Sequence, residues 1–275
     1  AVAHLLAARL GARIRSVDSM LVYRGMDIGT DKPSPAELAT YGYAGVNLVD
    51  PTESCSVGRY LEAVREPLGT SDRRWIAVGG TGLYFRCLLQ GLAPRPTADP
   101  AARAEAEAVW HRGGLPALQQ LVRRVAPSGY EGLRDPHNPR RLIRLYEVAR
   151  QGGDPAPAAT WTEPPSLVGL WREKAELDQY IRERVVRMFE GGLLDEAAEL
   201  RRRWSRLSSE ALQAIGYREA FAVLDGRMTV RDAVEETIRR TRRLARRQMT
   251  WFRHQARMQW VRIRPHASAE AIADE

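Results

Sequence analysis

The sequence predicts an α/β protein: a parallel sheet flanked by helices and interrupted by a helical insertion. Three observations carry that expectation. Residues 14–17 form a short apolar run that stops at Asp18-Ser19, and residues 75–78 form a second run that breaks into Gly79-Gly80-Thr81-Gly82 before a helical stretch. Strands that end in turn residues and lead into helices suit a parallel sheet, whose carboxyl edge is where ligands bind. Between Pro96 and Gly152 the pattern is nearly all helical, and strand character returns only at 166–170. The expected organisation is a first core part over 1–96, a helical insertion over 97–160 and a second core part over 161–275.

Composition narrows the function classes. At 275 residues the chain can bury a sizeable core. Its 44% hydrophobic and 28% charged residues place it among globular rather than disordered chains. A net charge of +8 favours a polyanionic partner. Cys55 and Cys87 lie far apart and outside any CxxC pair, which excludes a disulfide framework and a cysteine zinc site. No apolar run approaches membrane-spanning length, and no charged-then-apolar leader opens the sequence, so a cytoplasmic monomer without membrane contact is expected.

Taken in order, Val2, Leu5, Leu6 and Leu10 have helical spacing closed by Gly11 as a C-cap. Past Asp18, the charges of Arg24, Asp27 and Lys32 sit in a loop punctuated by Gly25, Gly29 and Pro33, which suits gripping a polyanion better than packing a core. Asp18 alone reads as readily as a turn cap. Residues 33–50 turn to Pro, Gly and small residues and carry no assigned role. Val57, Tyr60, Leu61 and Val64 mark a helix over 56–68 that Pro67 ends. The glycine turn at 79–82 offers backbone amides and the Thr81 hydroxyl to an anion or a base, although close helix-to-strand packing explains its glycines equally.

Pro94 and Pro96 mark a boundary. Helices follow over 99–112, 115–125 and 138–151, the last with Arg140, Arg141 and Arg144 on one rough face, and a Gly/Pro linker follows at 152–157. Residues 166–170 are expected to cross back into the core sheet. A long amphipathic helix over 175–203 is interrupted at Gly191-Gly192, with Arg182, Arg184 and Arg187 near its start. At 213–218, Gly216 permits close backbone approach, Tyr217 offers a stacking face and Arg218 a fork for phosphate. From Val230, apolar or small residues at 234, 238, 241, 245, 249 and 252 keep one helical face on the core. Eight arginines and no acidic residue lie between Arg239 and Arg257, a bias that favours phosphate binding. A last strand is expected at 259–263, then a disordered tail.

Several of these stretches together resemble the tRNA dimethylallyltransferases (tRNA isopentenyltransferases). They are Val17-Asp18-Ser19 with Tyr23-Arg24-Gly25-Met26-Asp27-Ile28-Gly29-Thr30 and Lys32-Pro33, then Gly79-Gly80-Thr81-Gly82-Leu83-Tyr84, Ile215-Gly216-Tyr217-Arg218 and Arg246-Arg247-Gln248-Met249-Thr250-Trp251-Phe252-Arg253. The resemblance implies a P-loop NTPase-like sheet and transfer of a dimethylallyl group from its diphosphate to the exocyclic amine of the adenine beside the anticodon. It implies that Asp18 is the general base, that Thr81 contacts the target nucleotide, and that Arg184, with Lys32, meets the donor phosphates. On the tRNA side it adds Ser19, Met20 and Leu21, then Arg103, then Arg140, Arg141, Leu142, Ile143 and Arg144. Gln213, Ala214, Ile215, Gly216, Tyr217 and Arg218 belong to the same implied surface, as do the residues of the 246–253 block.

The family pattern opens with a strand and a glycine-rich loop ending in Gly-Lys-Ser/Thr, which would precede Ala1 and hold the pyrophosphate and its Mg2+. The sequence begins after both, so weak or no activity is expected of it alone, and no metal ligand is assigned. Three other readings compete: a transferase acting on free adenine nucleotides, a small-molecule kinase of the same fold, and a non-enzymatic RNA-binding remnant. The helical insertion and the acid-free arginine run favour tRNA.

Overall fold

The computed structural model describes residues 1–65, 74–92, 99–133, 135–152, 166–265 and 267–275. They fall into two compact units, residues 1–91 with 163–275 and residues 92–162. In the first unit the order is α1 (Val2–Leu10), β1 (Arg13–Val17), α2 (Pro35–Thr40), α3 (Val57–Arg65), β2 (Trp75–Gly79) and α4 (Gly82–Gln90). The second unit holds α5 (Pro100–Val125), α6 (Pro127–Glu131) and α7 (Pro139–Arg150). The first resumes with β3 (Ser166–Trp171), α8 (Lys174–Glu190), α9 (Leu193–Arg203), α10 (Ser209–Gln213), α11 (Tyr217–Leu224), α12 (Val230–Gln255), β4 (Arg257–Arg262) and α13 (Ala269–Asp274).

Both strand pairs are parallel, as an α/β chain requires of strands separated by helices. β1 pairs with β2 so that Ile14 faces Ile76 and Val17 faces Gly79. β3 pairs with β4, Leu167 opposite Met258. The expected crossover of 166–170 into the first ladder is corrected here: among the described residues β3 pairs with β4 alone. Its Leu167 still packs against the main core, while Val168 on the other face is 66% exposed.

That core explains the signature stretch. Val17, Val22, Tyr23 and Met26 pack in one cluster with Tyr60, Tyr84 and Phe85 from α3 and α4 and with Leu193, Leu200, Tyr217 and Phe221 from α9 and α11. Each fully buried side chain of this kind is worth about 1.5–3 kcal/mol. Half of the loop after β1 is therefore core, and its polar half is carried on that anchor.

Local chemistry sets the helix ends. Gly11 closes α1 at φ 58, a left-handed value that glycine tolerates. In the second unit the Asp99 side chain accepts the amides of Ala101 and Ala102, and Asn138 accepts that of Arg140, with proline at the first turn of each helix. α5 breaks at Gly114, φ 67, so the two helices expected over 99–125 abut across a kink. Gly191-Gly192 ends α8 and starts α9. The expected disordered tail is also corrected: Ser268 caps α13, Ile272 is buried, and Asp274 pairs with Arg9 of α1 at 2.5 Å. The proline boundary at 94–96, the end of the helix over 56–68 and the linker at 153–157 lie outside the described residues.

One core residue conflicts with its setting. Arg15, in the middle of β1, is 4% exposed and lies 4.5 Å over the Trp75 ring. Its Nε and Nη2 have no hydrogen-bond partner among the described residues, and burial pushes its pKa down. A cation without a carboxylate costs more than a ring face returns. Arg15→Leu is accordingly expected to stabilise the fold by about 1–2 kcal/mol, roughly 2–8 °C in Tm. A thermal melt checks this, and a lowered Tm would mean that the stacking outweighs the desolvation.

Candidate active site

β1 delivers Asp18 to its carboxyl end. The buried Val17 ends the strand, and Asp18 Oδ1 accepts the amide of Met20 at 2.7 Å, which turns the chain. Oδ2 makes no hydrogen bond among the described residues and the side chain is half-buried, so one oxygen is fixed and the other is available. Parallel pairing places Gly79 opposite Val17, and this brings the glycine turn alongside. Thr81 donates its amide to Val17 O at 3.1 Å, and its Oγ1 accepts the amide of Ser19 at 3.1 Å. Ser19 and Thr81 are therefore joined immediately after Asp18. Met20 packs partly against the core, and Leu21 is half-buried.

The glycines of that turn answer to packing. A Cβ on Gly80 would lie 2.9 Å from Gln248 Cδ, and one on Gly82 would lie 2.5 Å from Trp251 Cε2. Gln248 Nε2 donates to Gly80 O at 3.2 Å. The arginine-bearing helix α12 is thus docked on the turn beside Asp18, and glycine is what lets it approach. Of the aromatic pair, Phe252 packs edge-on to Phe85 and Trp251 edge-on to Phe252, so both serve first as packing groups. Met249 is half-buried, and Thr250 turns its hydroxyl onto Arg246 O at 3.0 Å.

The expected phosphate contact at Lys32 is corrected. Its ammonium donates to Tyr23 O at 2.6 Å, to Asp27 Oδ1 at 2.6 Å and to Asn47 Oδ1 at 2.8 Å, and its side chain is 2% exposed. Three donors are matched by three acceptors, which leaves none for a phosphate. Burial pulls its pKa down against the pull of Asp27. Tyr217 is corrected likewise: it is fully buried, donates to Glu196 and accepts the amide of Gly29 at 3.2 Å, so it offers no stacking face. Arg184 remains half-exposed on α8 with its Nε 3.3 Å from Asp31 Oδ2.

The rest of the 213–218 block is mostly scaffold. Glu219, 2% exposed, caps the amide of Gly216 at 2.9 Å and is held by Arg240, which also donates to Gln213 O at 2.8 Å. Ala214 is buried and Ile215 half-buried, and Gln213 and Arg218 reach the surface. On α12, Arg239 pairs with Glu236, Arg240 with Glu219 and Arg242 with Asp178. Arg243, Arg246, Arg247 and Arg253 are exposed and make no ion pair among the described residues.

In the second unit, Glu147 is completely buried, and its two oxygens take Arg103 Nε at 2.6 Å and Arg144 Nη1 at 2.8 Å. Arg140 and Arg141 are exposed. Leu142 and Ile143, expected to touch RNA, are core side chains of this unit. Glu147, Glu196 and Glu219 carry no sequence motif; the only local hint is that Glu196 and Glu219 stand in the first turn of a helix. No three His, Cys, Asp or Glu side chains gather to hold a metal among the described residues. No described helix is long and apolar enough to cross a membrane.

Comparison with known proteins adds the following. Residues 21–255 match the family described as IPP transferase. The chain is 39% identical over 264 residues to a tRNA dimethylallyltransferase of Thermus thermophilus, covering 91% of this chain and 85% of that one. It is similar to the crystal structure of a full-length tRNA isopentenylpyrophosphate transferase of Bacillus halodurans, with a TM-score of 0.65 and 33% identity over 99% of this chain and 88% of that one. A eukaryotic dimethylallyltransferase captured acting on tRNA shares the fold, with a TM-score of 0.70 at 21% identity over 94% of this chain and 70% of that one.

Proposed function

Because the chain belongs to the IPP transferase family, we propose that it carries the prenyl transfer of its relatives through the groups just described: dimethylallyl diphosphate gives its dimethylallyl group to the exocyclic amine of the adenine next to the anticodon of a tRNA. The observation that supports this best is the half-tethered Asp18 carboxylate at the end of a parallel strand, beside the Thr81 hydroxyl and the docked arginine helix.

That amine is a weak nucleophile, because its lone pair is delocalised into the ring. As nitrogen forms its bond to the allyl carbon, the carbon–oxygen bond to diphosphate breaks and its electron pair leaves with the diphosphate. The amine becomes acidic and hands a proton to Asp18 Oδ2. Thr81 orients the turn and the incoming base. Arg184 meets charge on the leaving group, with two Nη groups that make no hydrogen bond among the described residues. The exposed Arg243, Arg246, Arg247, Arg253 and Arg218 of the first unit, and Arg140, Arg141 and Arg103 of the second, supply phosphate contacts that hold the anticodon arm while the adenine leaves its stack.

Incubating the chain, with the strand and glycine-rich loop of the family pattern joined ahead of Ala1, with labelled dimethylallyl diphosphate and either tRNA or AMP tests this. Label in tRNA alone is the expected outcome. Label in AMP would assign a free-nucleotide transferase instead, and label in neither would sink the proposal.

A further inference from the structure

The stretch from Tyr23 to Lys32 is a loop anchored in the core by Tyr23 and Met26, and three consecutive amides in it are captured by two side chains from elsewhere. Glu196, in the first turn of α9, accepts the amide of Asp27 at 3.1 Å and that of Ile28 at 2.9 Å through Oε2. Its Oε1 takes the hydroxyl hydrogen of Tyr217, whose oxygen accepts the amide of Gly29 at 3.2 Å. Burial, reinforced by the charge of Glu196, pushes the Tyr217 pKa far up, so the phenol keeps the proton it donates. The loop lies tightly on this pair: a Cβ on Gly29 would stand 2.8 Å from Tyr217 Cζ and 2.9 Å from Leu193 Cδ1.

Two residues beyond the captured amides stands Asp31, in a left-handed conformation at φ 57 that a non-glycine residue adopts at a cost. Its carboxylate lies 3.3 Å from Arg184 Nε. The pair stands at ion-pair distance without a formed hydrogen bond, so Asp31 acts on the inner end of the guanidinium by charge, and the two outer nitrogens make no hydrogen bond among the described residues, on a side chain that is 34% exposed. A long cation steered at its stem and open at its tip is arranged to receive an anion.

We infer that Glu196 is a positioning residue for the donor side of the reaction: by fixing the 27–29 backbone it places Asp31, and through Asp31 it aims Arg184 at the diphosphate. This rests on the reading of Arg184 as a donor contact. Holding α9 and α11 together does not require the loop, because Leu193, Ala197, Leu200 and Phe221 already bury those helices in the main core. A half-buried carboxylate is a poor device for stability alone. What it supplies is a direction for three amides.

The test compares steady-state kinetics of Glu196→Ala, Glu196→Gln, Tyr217→Phe and Arg184→Ala with the wild type in the full chain, alongside amide exchange. Glu196→Ala is expected to raise KM for dimethylallyl diphosphate by roughly 10- to 100-fold, with KM for tRNA unchanged. Exchange at residues 27–29 should accelerate while β1 keeps its protection. Glu196→Gln retains one acceptor oxygen and should recover part of the loss, and Tyr217→Phe should fall between. If the alanine variant does not fold, those two carry the test. A loosened loop with unchanged donor KM would overturn the inference. An Arg184→Ala variant with wild-type donor KM would overturn it by a different route, by removing the reading on which it rests.

Discussion

Asp18→Asn is expected to lower kcat by about 10²- to 10⁴-fold while tRNA binding stays at wild-type strength. The substitution isolates chemistry from structure. The asparagine carbonyl can still accept the Met20 amide that Asp18 Oδ1 accepts at 2.7 Å, so the turn and the Ser19 to Thr81 contact survive. What is lost is a group able to take a proton from the adenine amine. Asp18→Ala removes both functions and should fall at least as far. Single-turnover transfer measured beside filter binding separates the two quantities, and transfer near the wild-type rate in the asparagine variant would remove Asp18 from the reaction.

Lys32→Met should cost about 2–3 kcal/mol of stability, roughly 4–12 °C in Tm. Methionine fills similar space but leaves the carbonyl of the buried Tyr23 and the Asn47 side chain without their donor. Asp27, 56% exposed, can turn to water, which holds the estimate at the lower end of the range for broken buried pairs. Differential scanning calorimetry with donor KM discriminates the two roles this residue has been given. A phosphate ligand would raise KM without moving Tm, whereas a structural pin lowers Tm first.

What could be read from the chain was what local pattern encodes. The strand into Asp18, the glycine turn at 79–82 and the core face of α12 each depend on residues close in sequence, and each stands where periodicity placed it. Long-range pairing was beyond that kind of reading. The arginine run had no acid within it, yet Glu219 and Asp178 reach it from other helices and neutralise Arg240 and Arg242, which divides a seemingly uniform basic face into braced and open arginines. Tyr217 and Lys32 looked like ligand groups because exposure is not written in a residue's type; the structure spends both on the loop after β1. The last helix is six residues, too short for a periodic signal, and only its Ser268 cap hinted at it.

The contact between Gln248 and Gly80 spans 168 residues, so the turn next to Asp18 leans on a segment far away in the chain. A nascent chain paused before that helix emerges carries Asp18 and Thr81 but lacks the wall beside them. The surroundings of Asp18 are thereby completed only when that long-range contact closes, a step whose loop-closure cost places it late in folding.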